Sequence, residues 1–315
     1  MKTKYFVLIR LLLILGVLLG MSGGLKNSVP AVAPCKWNGS TTDWYNTDNW
    51  TDCEDTGGDP TYPGTDHDVT IPAGQSTYPV LTMYQDGIFI KTLTIEANAQ
   101  ITIDEQTTIN ANQFDNHGLV KIEDVTGHNL RIKAPFNNYG TAEFGTEPTL
   151  ILYQSGTHSG SFTGRQLSFY RSTIERINTF ETTSSIDVDV LMIDDNNTIN
   201  IYGSVSSGKT YIDLGSVVTI TTSQTVDLDT IILRGGELII DAFNVSAGET
   251  FSGIGTITIQ TDLTNSGTVS PGESPGTITV DGNYTQDAIG VLEMEIGGTT
   301  AGTGYDQLIV TESAA

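Results

Sequence analysis

The chain has 315 residues with 14 Lys and Arg against 37 Asp and Glu, a formal charge of −23. That much negative charge repels phosphates and argues against nucleic acid and anionic membranes as partners. Cations and neutral partners remain, and no motif calls for a cofactor.

The chain opens with Lys2, Lys4 and Arg10 ahead of LLLILGVLLG (11–20), followed by small residues and an Ala31-Val32-Ala33 site. This is the pattern of a signal peptide, taken as residues 1–33, which implies a secreted or cell-surface protein with no membrane span in the mature chain. A cut after Ala33 leaves Pro34 at the new terminus, so uncleaved anchoring stays open as an alternative. Cleavage there removes Lys2, Lys4, Arg10 and Lys26 and no anion, so −23 less four gives −27.

Residues 34–64 read as a Trp-rich N-terminal cap. Cys35 and Cys53 fit an oxidising compartment and are expected to form a disulfide. Zinc would need more ligands than His67, the one histidine nearby, so no metal site is expected. Trp37, Trp44, Tyr45 and Trp50 have two readings: a platform on which a sugar ring stacks, or a lid that keeps water from the core behind it.

From residue 65 onward the chain is a series of short Ile-, Val- and Thr-rich runs bounded by Gly, Asn, Asp or Pro, the signal of strands and turns. Examples are TLTIEANAQITI (92–103), TIILRGGELII (230–240) and GTITIQ (255–260). Helical spacing arises once, in STIERINTF (172–180), where Ile174, Ile177 and Phe180 recur every third residue, although its threonines count against a helix.

The runs repeat. FDNHGLVKI begins at Phe114, FNNYGTAEF 22 residues later at Phe136, and LTNSGTVSP at Leu263, while Gly236, Gly255 and Gly276 lead similar strands at spacings of 19 and 21. Units of about twenty residues suit a coil of three short strands that buries its inner face by stacking on the next coil. From 65 to 311 this gives roughly eleven coils and a rod about 50 Å long. The expected fold is all-β, a right-handed parallel β-helix (a β-solenoid, pectin-lyase-like) over 65–315, truncated or uncapped at its C-terminal end.

Ser-Pro-Gly is written twice in SGTVSPGESPGTITVDGNYTQ (266–286). Pro271 and Pro275 suit the second position of a turn, and Gly272 and Gly276 the positive φ of the third, so both tripeptides read as corners. Asn116, Asn138 and Asn265 are expected at one repeated corner, where Asn tolerates left-handed geometry and ladders with its neighbour.

VSPGESPGTITVDGNYTQ, continued by LEMEIGGTTAGTGYDQLIV (292–310), resembles the strand-rich modules of bacterial surface proteins of the haemagglutinin-like and autotransporter-passenger type. KWNGSTTDWYNTDNW (36–50), DVTIPAG (68–74) and KTLTIEANAQITI (91–103) are similar to the opening of secreted bacterial β-helices. The resemblance covers about a third of the chain and implies a surface-displayed, adhesive β-helix. Such modules usually continue into an anchor, barrel or sorting segment; with none visible here, the chain is expected to be a fragment or to have that end covered by something else.

The expected function is therefore non-enzymatic: an adhesin-like or structural stalk with a polysaccharide or cell-surface ligand. The alternative is a carbohydrate-active enzyme on the same fold. Fragments similar to the polygalacturonase family occur, in Asn46-Thr47-Asp48, Gly127-His128, Arg131-Ile132-Lys133 and Asp194-Asp195. Their order is wrong for that family, and glycoside hydrolysis needs two carboxyls facing one bond. His67, His117, His128 and His158 each stand among turn residues. Asp187, Asp189, Asp194 and Asp195, with Asn196 and Asn197, read as a solvated acidic face rather than a calcium site. A concave groove lined by several carboxylates and a cation would favour the enzyme.

Overall fold

The computed structural model describes residues 34–55, 57–59, 61–82, 87–272 and 275–315. The expected signal segment, 1–33, lies outside them. Among the described residues helix is almost absent, and the strands form a parallel β-solenoid of about ten turns.

Each coil contributes three short strands. Residues 185–188 lie on one face, 190–193 on a second and Asn197–Ile201 on a third, and the next coil stacks on them in parallel register. Ile186 lies over Val205, Leu191 over Thr210 and Ile199 over Val218. Burial alternates in strands such as Asp68–Ile71 and Thr92–Ile95, because successive side chains point to opposite sides of the pleat.

The third face shows how the core is built. A single inward column runs Ile71, Ile95, Asn116, Asn138, His158, Phe180, Ile201, Ile220, Ile240 and Ile259, each register-matched to the next. All ten side chains are buried. The nine steps cover about 43 Å at the usual strand spacing. Each buried isoleucine contributes roughly 1.5–3 kcal/mol by removing its surface from water.

Two asparagines sit in this apolar column because their amides are satisfied by the coil above. Asn116 Nδ2 donates to Asn138 Oδ1 at 2.7 Å and to the Thr141 carbonyl at 3.0 Å. Asn138 Nδ2 donates to the Ser161 carbonyl at 2.9 Å. The expected ladder therefore holds for this pair, whereas the left-handed corner does not: both residues end strands and neither has positive φ. Asn265 stands elsewhere: its column is Val245, Asn265 and Gln286, at the end of a different face. It nevertheless does the same work, donating to the Val291 carbonyl at 2.9 Å.

The helix-like spacing of 172–180 resolves as a strand, Arg176–Phe180. Phe180 enters the core, while Ile174 and Ile177 face solvent. Strand pairing on both neighbours outweighs a weak three-residue period among β-branched residues.

At the N-terminal end, Cys35–Trp37 pairs in parallel with Asp68–Ile71 and antiparallel with Trp50–Thr51. Cys35 and Cys53 are joined in a buried disulfide that closes a segment of 18 residues. Loop closure of that size stabilises by about 3 kcal/mol through the unfolded state. Peptide mapping without reduction is expected to yield the cross-linked pair, and Cys35→Ser with Cys53→Ser to destabilise by that amount. Free thiols at both positions in exported protein would contradict it.

Candidate functional site

Sequence singled out the cap aromatics, and the structure turns them inward. Trp37, Trp44 and Trp50 are 1%, 1% and 6% exposed. Their rings meet edge to face, with Trp50 at 5.0 Å from Trp37 and 4.8 Å from Trp44. Trp50 Nε1 donates to the Trp44 carbonyl at 2.8 Å, and Trp37 Nε1 to that of Thr77 at 2.9 Å. The platform reading of these three is corrected: their faces are covered by one another, and the lid reading describes their place. Tyr45 is half-buried beside Tyr62, and burial raises its hydroxyl pKa above the ordinary tyrosine value.

His67 is buried under the cap with both ring nitrogens engaged. Nδ1 accepts from the Gly64 amide at 3.0 Å, and Nε2 lies 2.9 Å from the Glu54 carbonyl. Cys35, Cys53 and His67 are close enough together to suggest metal ligands, yet the two sulfurs are bonded to each other.

The fragments with a hydrolase-like look are not gathered in one place. Asn46-Thr47-Asp48 belongs to the cap, where Asn46 caps a short 3-10 turn, Thr47–Asn49. Arg131 and Asp194 lie three coils apart, roughly 14 Å along the axis. Asp194 is half-buried, and desolvation holds its carboxyl above the usual carboxylate range. Asn197 is buried, with Nδ2 donating to the Asp194 carbonyl at 2.7 Å, so this end of the acidic segment is structural.

The remaining carboxylates line a cleft. Where the chain bends between its first and second faces, Glu143, Thr163, Arg165, Asp187 and Asp189 surround a concavity of about 320 Å³. At this bend the register shifts between Phe144 and Thr149, so residues 145–148 interrupt the ladder with the next coil. Gly164 makes it possible, because a Cβ at this residue would meet the Phe144 carbonyl oxygen at 1.7 Å.

The cleft belongs to a longer outward ladder. Glu143, Thr163, Asp187, Ser206 and Asp227 are register partners on successive coils, so carboxylate and hydroxyl alternate along the axis. Like groups are two strands apart, roughly 10 Å. Further along, Asp227, Asp229 and Glu249 bring carboxylate oxygens within 4.8 Å of one another, an arrangement that offers hard ligands to a cation. Sequence reading named Asp187 and Asp189 but missed Glu143, Thr163, Arg165, Asp227 and Glu249. For Glu143, Thr163 and Asp227 the signal was the repeat itself, since 143, 163, 187, 206 and 227 recur at about the coil period.

Two aromatic pairs also lie on the outside. His117 stacks on Tyr139 at 4.8 Å, and Tyr153 on Tyr170 at 4.3 Å with Lys133 beyond it. Among the described residues no helix is long and apolar enough to cross a membrane. No protein-family model, curated protein or solved structure matches the chain.

Proposed function

We propose that this chain is a secreted or surface-displayed β-solenoid of the haemagglutinin-like and autotransporter-passenger type. It acts without catalysis, as an adhesin-like rod that holds a polysaccharide or cell-surface glycan along the cleft at Glu143, Asp187 and Asp189. The observation that carries this reading is the outward alternation of carboxylates and hydroxyls. Carboxylates accept hydrogen bonds from sugar hydroxyls, Thr163 and Ser206 both donate and accept, and a periodic row suits a periodic polymer. The same row repels phosphate and so favours glycans over nucleic acid.

A second reading keeps the site and adds turnover, since carboxylates and Arg165 converge on one concavity. Two carboxyls flanking a glycosidic bond can serve as acid and base. One experiment separates the two: pull-down on a panel of insoluble polysaccharides, with release of new reducing ends followed in the same tubes. Binding without release is expected. Replacing Asp187 and Asp189 together with Asn is expected to reduce binding at least tenfold with an unchanged melting curve, because both side chains are exposed. Release of reducing ends that the double variant loses would establish the enzyme, and full binding by the variant would move the site elsewhere.

A further inference from the structure

We propose that His158 is an acid-operated release built into the middle of the solenoid, whose protonation opens the coils that carry Phe136–Asn138, Gly156–His158 and Arg176–Phe180. Sequence placed this histidine in a turn. The structure puts it at the end of a strand, fully buried, as the third polar member of the column after Asn116 and Asn138.

The geometry admits only the neutral ring. The Asn138 backbone N–H points at Nδ1 from 3.3 Å, so Nδ1 is the acceptor and the ring's one proton sits on Nε2. Nε2 lies 3.3 Å from Asn178 Oδ1, its hydrogen-bond partner. A second proton has to sit on Nδ1, directly opposite the Asn138 donor, and that hydrogen bond is then lost.

The surroundings do nothing to welcome the charge. The ring is packed among Phe136, Phe162 and Phe180, with centroids 6.0, 5.1 and 4.6 Å away. Asn138 lies on one neighbouring coil and Phe180 on the other, and neither titrates. Of the charged residues on these strands, Arg176 shares a face with Asn178 and Phe180 and is itself a cation, so it opposes a second positive charge. Desolvation correspondingly lowers the His158 pKa from 6.5 to about 4.

The sign follows from linkage. The native ring stays neutral down to about pH 4, whereas an opened coil takes up a proton below about 6.5. Stability of these coils is therefore full above that range and lost as pH falls through it, by about tenfold in the opening equilibrium per pH unit. The surface carboxylates act in the opposite sense at first, because partial protonation relieves mutual repulsion in a chain of charge −23. Loss confined to the central coils is thus the signature of His158.

Hydrogen exchange, corrected for the intrinsic pH dependence of amide exchange, tests this on the parent and on His158→Asn at pH 7, 6, 5 and 4.5. In the parent, protection of 136–138, 156–158 and 176–180 is expected to fall about tenfold per unit below 6.5, while 217–220 and 237–240 hold. His158→Asn extends the amide ladder by one step and is expected to remove the slope. An equal slope in the variant, a uniform loss over all coils, or no slope in the parent overturns the proposal. Imidazole NMR of the parent provides a check that needs no variant: a native-state His158 titrating near 6.5 would also overturn it.

Discussion

Trp50→Ala is expected to destabilise the protein by about 3–5 kcal/mol, the usual cost of emptying a large aromatic site that cannot collapse. Trp50 is the central ring of the cap, in contact with both Trp37 and Trp44 and hydrogen-bonded to the Trp44 carbonyl. Its removal undoes both edge-to-face contacts and lets water reach the first coil. Each coil touches only its neighbours, so the damage should stay near the cap: protection of 68–71 and 92–95 falls while that of 217–259 persists. Trp50→Phe should recover part of the loss. A denaturant melt read beside a polysaccharide pull-down tests the point. Intact stability with lost glycan binding would restore the sugar-platform role that burial argues against.

The architecture was legible because the solenoid writes its period into the sequence. Phe114 and Phe136, 22 residues apart, are direct register partners, and so are Asn116 and Asn138. The TITI-like runs revealed the inward face by simple alternation. What the repeat could not reveal was which corner a given turn occupies. The Phe-x-Asn-x-Gly and Leu-x-Asn-x-Gly copies look alike, yet Asn265 ends a different face from Asn116 and Asn138, because any tight corner with an amide to satisfy the next coil selects the same residues.

The candidate site was less visible, for a related reason. The cleft is assembled from residues about twenty positions apart whose types vary, carboxylate then hydroxyl then carboxylate, so no short motif marks it. Aromatic residues drew attention in the cap, but composition alone does not say whether a Trp covers a core or presents a face. His158 was misplaced because polar residues before a glycine or serine usually signal a turn. Here Asn116, Asn138 and His158 form an inward column, and their polarity is met by neighbouring coils instead of by water.

At the opposite end, Asp306→Ala is expected to loosen the last coils, and it bears on the paired Ser-Pro-Gly corners. Gly272 holds φ at +108° as expected, whereas Gly276 is not among the left-handed glycines. Gly276 instead leads directly into the strand Thr277–Gln286, and its N–H donates to Asp306 Oδ1 at 2.8 Å. Asp306 Oδ2 accepts from the Glu295 N–H at 2.7 Å, so one buried carboxylate ties the corner to the segment that leads into Gln307–Val310. Removing it strands the buried Gly276 N–H, which costs about 1–3 kcal/mol without a partner, and leaves the N–H of exposed Glu295 to water. Asp306→Asn should fare little better, because its NH2 group opposes one of those donors. Gly272→Val attacks the same knot from the other side, since a Cβ there would lie 2.5 Å from Asp306 Oδ1 and 2.6 Å from the Gly276 nitrogen. All three variants should expose 268–271 and 277–286 to protease and to exchange while 197–240 stays protected. Asp306→Ala protein that melts like the parent but no longer binds polysaccharide would show that this corner holds ligand and is not simply where a strand folds back.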